Sequence, residues 1–230
     1  MLTVTRLFAP LPQNTWEDLI NVKTFMMGVA YHLCEGVGRM PEAIRSFIAF
    51  DIESTSVLEK ITEMQRKLTE TGADLKFVEP KNIHITVRFL GNITLSMVDR
   101  IFEGMQKVQF VPFDIKIQGI GAFPDMRYPR VVWAGIREGA NQLRSIFSQL
   151  EPYLRSLGFA PDPKGFSPHM TIARVKSWQN KATLVKFLVE NANYEFGVVR
   201  AECLRLKRSD LTPKGPIYST IREYCPKNSQ

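Results

Sequence analysis

The sequence predicts a mixed α+β protein built on largely antiparallel sheets. Three observations lead there. Strand-like and helix-like segments alternate irregularly from Ile44 onward, no glycine-rich phosphate loop of a doubly wound nucleotide fold accompanies them, and the second half repeats the rhythm of the first. The 230 residues are 44% hydrophobic and 23% charged, enough apolar material for a buried core.

The elements follow in order. Ile44 to Ile52 is apolar on both faces, as a buried strand is. A helix is expected next, opened by a Ser56-x-x-Glu59 capping box, turning Val57, Leu58, Ile61, Met64 and Leu68 inward and ending at Gly72. Short strands are expected at Leu75 to Val78 and Ile83 to Leu90, then a helix from Leu95 to Val108 with Val98, Ile101, Phe102 and Met105 as its apolar stripe. Strands near Phe113 to Ile120 and Val131 to Ile136 lead to a helical stretch from Asn141 to Leu157, bent or divided at Pro152. A loop through Pro161, Pro163 and Gly165 precedes a strand at His169 to Val175. A helix from Ala182 to Asn191 and strands at Phe196 to Val199, Cys203 to Arg208 and Ile217 to Tyr224 complete the chain.

Residues 1–43 depart from this regularity. They lack the basic and continuous apolar regions of a secretory signal, and Trp16, Leu19, Ile20, Met26, Met27 and Ala30 allow one amphipathic helix. The segment is read as an atypical extension, either a docking helix, a tail, or upstream sequence with Met40 as the true start. The expected domain is therefore 44–230. No apolar run approaches the roughly 20 residues of a spanning helix, so no membrane association is expected.

The net charge is +7, and residues 1–43 hold three basic and four acidic residues, so the basic excess belongs to the main body. A positive domain concentrates polyanions such as nucleic acid, although solubility alone accounts for many basic proteins. Cys34, Cys203 and Cys225 form no C-x-x-C pair, so neither a disulfide framework nor a cysteine zinc site is expected, and the reduced cytoplasm is the natural compartment.

The chain has three histidines, and two stand in matching contexts. One is Asn82-Ile83-His84-Ile85-Thr86-Val87-Arg88-Phe89, and the other is Ser167-Pro168-His169-Met170-Thr171-Ile172-Ala173-Arg174. Alternation along a strand points His84 and Thr86 one way and Ile83, Ile85, Val87 and Phe89 the other. By the same rule Arg174 faces away from His169, and only a bulge would bring it inward. Two such strands facing one cleft would supply two imidazoles and two hydroxyls. One imidazole can activate water while the other protonates a departing oxygen, and the hydroxyls can donate to non-bridging phosphate oxygens. A single histidine on an apolar strand is more often a packing residue; the matched pair is what points to chemistry. No carboxylate accompanies either histidine at ligand spacing, so no metal and no cofactor are expected. His32, in the extension, is read as a surface or packing residue.

These residues resemble the two-histidine phosphoesterase superfamily, and within it the RNA 2′,3′-cyclic phosphodiesterase branch, often labelled 2′-5′ RNA ligase. The likeness runs from Arg45 to Tyr224. It includes both H-x-T motifs, the opening strand Arg45 to Asp51, the run His84 to Gly91, the segment Gly121 to Pro124 followed by Pro129 to Trp133, and the stretch Leu206 to Tyr218. The resemblance implies a bilobal fold, two mostly antiparallel sheets with flanking helices around a central cleft. It implies His84 as proton donor, His169 as acceptor, and Thr86 and Thr171 as phosphate holders, in hydrolysis of terminal cyclic phosphates to 2′-phosphomonoesters. RNA with 2′,3′-cyclic phosphate ends is the implied partner, met by a monomer. Arg130 is either a phosphate-neutralising group near the cleft or a surface arginine, and Tyr218 either stacks on a base or packs. Two other functions fit the same residues: 2′-5′ ligation, with a 5′-hydroxyl replacing water, and an RNA-end-binding module without turnover.

Overall fold

In a computed structural model of the chain, residues 43–162, 165–213 and 215–226 are described. The amphipathic segment, His32 and Cys34 lie outside them. The elements run β1 (Ala43–Asp51), α1 (Thr55–Thr69), β2 (Leu75–Phe77), a 3₁₀ turn (Pro80–Asn82), β3 (His84–Thr94), α2 (Leu95–Gln106), β4 (Phe113–Phe123) and β5 (Val131–Glu138). They continue with α3 (Ala140–Ser156), β6 (His169–Val175), α4 (Lys181–Glu190), β7 (Glu195–Ala201), β8 (Leu204–Thr212) and β9 (Gly215–Tyr224).

The strands pair antiparallel in the order β7-β4-β5-β6-β3-β1-β8-β9, with β2 added at β6. The two expected sheets are two halves of this array, and they are continuous through one bridged pair, Ile85 with Met170. The halves share a construction. β1-α1-β3-α2 matches β5-α3-β6-α4 element for element; β4 and β7 complete the second half, and the C-terminal hairpin β8-β9 returns to complete the first.

Each helix forms where an apolar stripe meets the sheet. In α1, Val57, Ile61, Met64 and Leu68 are fully buried, at the three- and four-residue spacing of one helical face. The helix starts at Thr55, ahead of the expected box, with Ser54 at the N-cap; the Ser54 and Ser56 hydroxyls bond each other at 3.1 Å instead of capping the backbone. Pro152 does not divide α3. Its cost is about 3 kcal/mol. Leu143, Ile146, Leu150 and Leu154 are all buried along the same face, each worth about 1.5–3 kcal/mol, so packing outweighs the lost bond.

Cys203 and Cys225 form a disulfide, contrary to the expectation from their spacing. The register explains it: Leu204 pairs with Tyr224, and the two cysteines sit one step beyond. No helix among the described residues is long and apolar enough to cross a membrane.

Candidate active site

The bridged pair at the centre of the sheet builds the site. Ile85 and Met170 each follow a motif histidine, so an antiparallel step on either side sets His84 toward Thr171 and Thr86 toward His169. Ile85 and Met170 themselves are fully buried on the helix side. All four polar side chains line one cleft of about 260 Å³, together with Arg45, Lys76, Phe89, Arg174, Ser209 and Tyr218.

Both imidazoles are held in the same way. His84 Nδ1 lies 2.7 Å from the Asn82 carbonyl, and His169 Nδ1 lies 2.7 Å from the Ser167 carbonyl. A carbonyl only accepts, so in the neutral ring Nδ1 carries the hydrogen and Nε2 is the basic nitrogen. Aromatic rings pack beside each imidazole. Phe47 and Tyr218 stand 4.9 and 5.2 Å from His84, and Phe123 stands edge-on 4.8 Å from His169. Burial is the main reason that both imidazoles have lowered pKa values. For His84 the Asn82 carbonyl and the Asp51 carboxylate oppose the shift, while the charges of Lys207 and His169 add to it. For His169 the Ser167 carbonyl opposes it and Arg174 adds to it. Asp51 is the register partner of His84 on β1, and Lys207 donates to both of its carboxylate oxygens at 2.6 Å.

Alternation alone misplaces two cleft residues. Between the pairs Trp133–Thr171 and Val132–Ala173 the ladder advances one residue on β5 and two on β6, so Ile172 is the extra residue of a bulge. The bulge returns Arg174 to the face of His169 and Thr171. β3 carries the same irregularity, with Val87 extra between the pairs Ala49–Thr86 and Ile48–Arg88. It turns Phe89 into the cleft, a correction to its expected inward direction. Phe89 and Arg174 therefore hold equivalent positions, each five residues after a motif histidine. Buried polar groups fasten both bulges. Gln65 on α1 donates to the Ile172 carbonyl at 3.0 Å and the Val78 carbonyl at 2.8 Å, and Arg88 donates to the Phe89 carbonyl at 3.0 Å.

Tyr218 lies in the cleft, and burial is the main reason its hydroxyl pKa is raised, against the nearby charges of Arg174 and Arg45. Arg130 does not line the cleft. Its carbonyl accepts from Val175 N–H and the next residue, Val131, pairs with Arg174, so Arg130 projects from the other face of the sheet, into a groove with Pro129, Val175, Lys176, Ser177 and Trp178. Among the described residues one trio has metal-ligand spacing, Cys203, Glu223 and Cys225, at the end of β8 away from the cleft residue Ser209, and two of its sulfurs are joined in the disulfide.

The sequence profile of the family described as LigT like Phosphoesterase matches residues 52–133 and 135–218. The chain belongs to the LigT-like phosphoesterase family. An RNA 2′,3′-cyclic phosphodiesterase of Aeropyrum pernix is 41% identical over 164 residues, covering 71% of this chain and 93% of the relative. One of Aquifex aeolicus is 36% identical over 186 residues, covering 80% and 97%. Among solved structures, TT0787 of Thermus thermophilus superposes with a TM-score of 0.67 at 25% identity, covering 79% of this chain and 97% of that one. E. coli LigT complexed with 3′-AMP gives 0.67 at 19% identity, covering 81% and 99%, a likeness of fold. The bilobal antiparallel architecture is thus that of LigT-like phosphoesterases. In this member of the family Arg45, Lys76 and Arg174 give the cleft a positive wall, and Glu79, the one acidic residue lining it among the described residues, pairs with Lys81 at 2.9 Å.

Proposed function

We propose that this LigT-like phosphoesterase opens RNA 2′,3′-cyclic phosphate ends to 2′-phosphomonoesters with His84 as acid and His169 as base. One observation carries the reading: two imidazoles, each with Nδ1 bonded to the carbonyl two residues earlier, share a positively walled cleft with two threonine hydroxyls. The curated RNA 2′,3′-cyclic phosphodiesterases it resembles at up to 41% identity support the substrate class. That one copy supplies both imidazoles supports a monomer as the acting unit, and an RNA substrate is in keeping with a cytoplasmic location.

In this mechanism Thr86 and Thr171 donate to the non-bridging oxygens and Arg174 balances their charge. His169 Nε2 takes a proton from water as its oxygen attacks phosphorus. The bond from phosphorus to the 3′-oxygen breaks, and His84 Nε2 delivers its proton there. The step leaves His84 neutral and His169 charged, and exchange with solvent resets them. Protonated His84 is disfavoured in the empty cleft; the bound anion supplies the charge that favours it.

The pH dependence follows with a definite sign. A lowered imidazole pKa means that the proton is lost at lower pH than the ordinary ~6.5. The limbs of kcat/KM, which report the free enzyme, therefore fall on the acid side of that value. Arg174→Ala removes a charge that lowers His169, so the limb governed by His169 moves to higher pH while kcat/KM drops; unchanged limbs would remove Arg174 from the site. The function itself is tested with an RNA bearing a 2′,3′-cyclic end, in EDTA. The expected result is stoichiometric 2′-phosphate and no joined product when a 5′-hydroxyl RNA is added. Hydrolysis abolished by EDTA, or joining in place of hydrolysis, would overturn it.

A further inference from the structure

Beyond the cleft, where β5 begins and β6 ends, two large aromatic rings are exposed to solvent: Tyr128 at 57% and Trp178 at 54%. Their centroids are 6.0 Å apart at 85°, and the Lys181 ammonium sits over both, 4.5 Å from Tyr128 and 5.1 Å from Trp178. The neighbouring groove, about 450 Å³, carries Arg130 and Lys176. Arg127, Arg130 and Lys181 enter no ion pair among the described residues, while Lys176 pairs with Asp74 at 3.5 Å. The other nearby carboxylate, Asp125, accepts from the Arg127 and Tyr128 backbone N–H groups and so fixes the loop that carries Tyr128. The Trp178 loop is fixed as well: the Asn180 and Gln179 side chains both donate to the Gly72 carbonyl, at 2.9 and 3.3 Å.

We propose that Tyr128 and Trp178, with Arg130, Lys176 and Lys181, form a second RNA site that stacks bases on the 5′ side of the cyclic end. Exposed rings interleaved with cations, two of which, Arg130 and Lys181, enter no ion pair among the described residues, suit single-stranded nucleic acid, whose bases stack on aromatic faces while its phosphates seek positive charge. The patch lies past the end of β6, the strand that carries His169, Thr171 and Arg174 of the cleft. Arg174 lines the cleft beside Lys76, its register partner on β2; Lys176 is two residues further along and Trp178 two beyond that. Four residues of chain separate Arg174 from Trp178, a reach of at most about 14 Å, within the span of a short oligonucleotide that rounds the strand end. A 2′,3′-cyclic phosphate occurs only at a 3′ end, so the rest of the RNA extends in the 5′ direction alone. The ordered loops hold both rings ready, so little conformational freedom is lost on binding.

The proposal rests on the RNA-end reading of the cleft, and its test keeps the two apart. Hydrolysis of a 2′,3′-cyclic mononucleotide and of an octanucleotide with the same end is compared between wild type and a Tyr128→Ala/Trp178→Ala variant of the full chain. For the octanucleotide KM rises at least about tenfold, as loss of base stacking dictates, while kcat and all mononucleotide constants stay unchanged; Trp178→Phe restores most of the loss. Equal effects on both substrates, or none on either, would overturn the second site. Should wild type hydrolyse neither substrate, the reading of the cleft fails, and fluorescence anisotropy with a 3′-phosphorylated octanucleotide still decides the patch: weaker binding by the variant supports it, equal binding sinks it. A variant that changes sedimentation rather than RNA affinity would assign the patch to a second copy of the chain and overturn the proposal.

Discussion

His84→Ala and His169→Ala each lower kcat on cyclic-phosphate RNA by about 10²–10⁴-fold, the range for loss of a positioned proton-transfer group. The two losses are not additive. Water activation and leaving-group protonation serve one phosphorus, so removing either ring disables the same step, and the double variant is scarcely worse than the poorer single one. KM changes less than kcat, because Thr86, Thr171, Arg174 and the positive wall still hold the phosphate. Single-turnover rates with saturating enzyme measure this, with a thermal melt as the control for folding. Either variant retaining wild-type single-turnover rate would refute the proposed mechanism.

The second large effect lies behind the cleft. Arg88 Nε donates to Glu151 on α3 at 2.5 Å, Nη1 to the Phe89 carbonyl at 3.0 Å and Nη2 to the Ala160 carbonyl at 2.5 Å. Both side chains are nearly closed to solvent, with 8% and 10% exposure. Glu151→Ala strands a guanidinium in that interior and costs about 3–5 kcal/mol, a large share of the roughly 5–15 kcal/mol that stabilises a typical domain. The Arg88→Met/Glu151→Leu pair removes both charges together and recovers most of that loss. Urea unfolding of the three proteins measures it. Stability returns in the double variant but activity does not return fully, because the Phe89 carbonyl loses the donor that fastens its bulge. A double variant as unstable as Glu151→Ala would show that packing around α3, rather than a stranded charge, sets the cost.

The contrast between legible and hidden features follows from what each depends on. The motif histidines and threonines were visible because a two-residue period is local and because the two contexts repeat. α3 was placed to within a residue, since its apolar stripe is a property of its own sequence. Phe89 and Arg174 lie opposite to the direction that alternation gives them, because a bulge is defined only against the opposing strand, and nothing in Val87-Arg88 or Ile172-Ala173 alone announces the extra residue. Arg130 was set near the cleft from its position at a strand start, where face depends on register with Val175 and Arg174. The Cys203–Cys225 bond likewise required the β8–β9 register. In each case the missing information was a cross-strand partner far away in sequence.

The return of β8 and β9 to the first half has a consequence for synthesis. β1 and β3 leave the ribosome before β8, and the flank of β1 stays open until β8 arrives, 158 residues later by the pairing of Ile48 with Leu206. Until then a row of backbone donors and acceptors is unpaired and open to other chains. Long-range pairing of this kind closes late and slowly. Ser209 and Tyr218 arrive with the same hairpin, so a nascent chain lacks the wall that packs against His84. The cleft is finished only once β9 has emerged, and a shorter nascent chain meets RNA without the completed site.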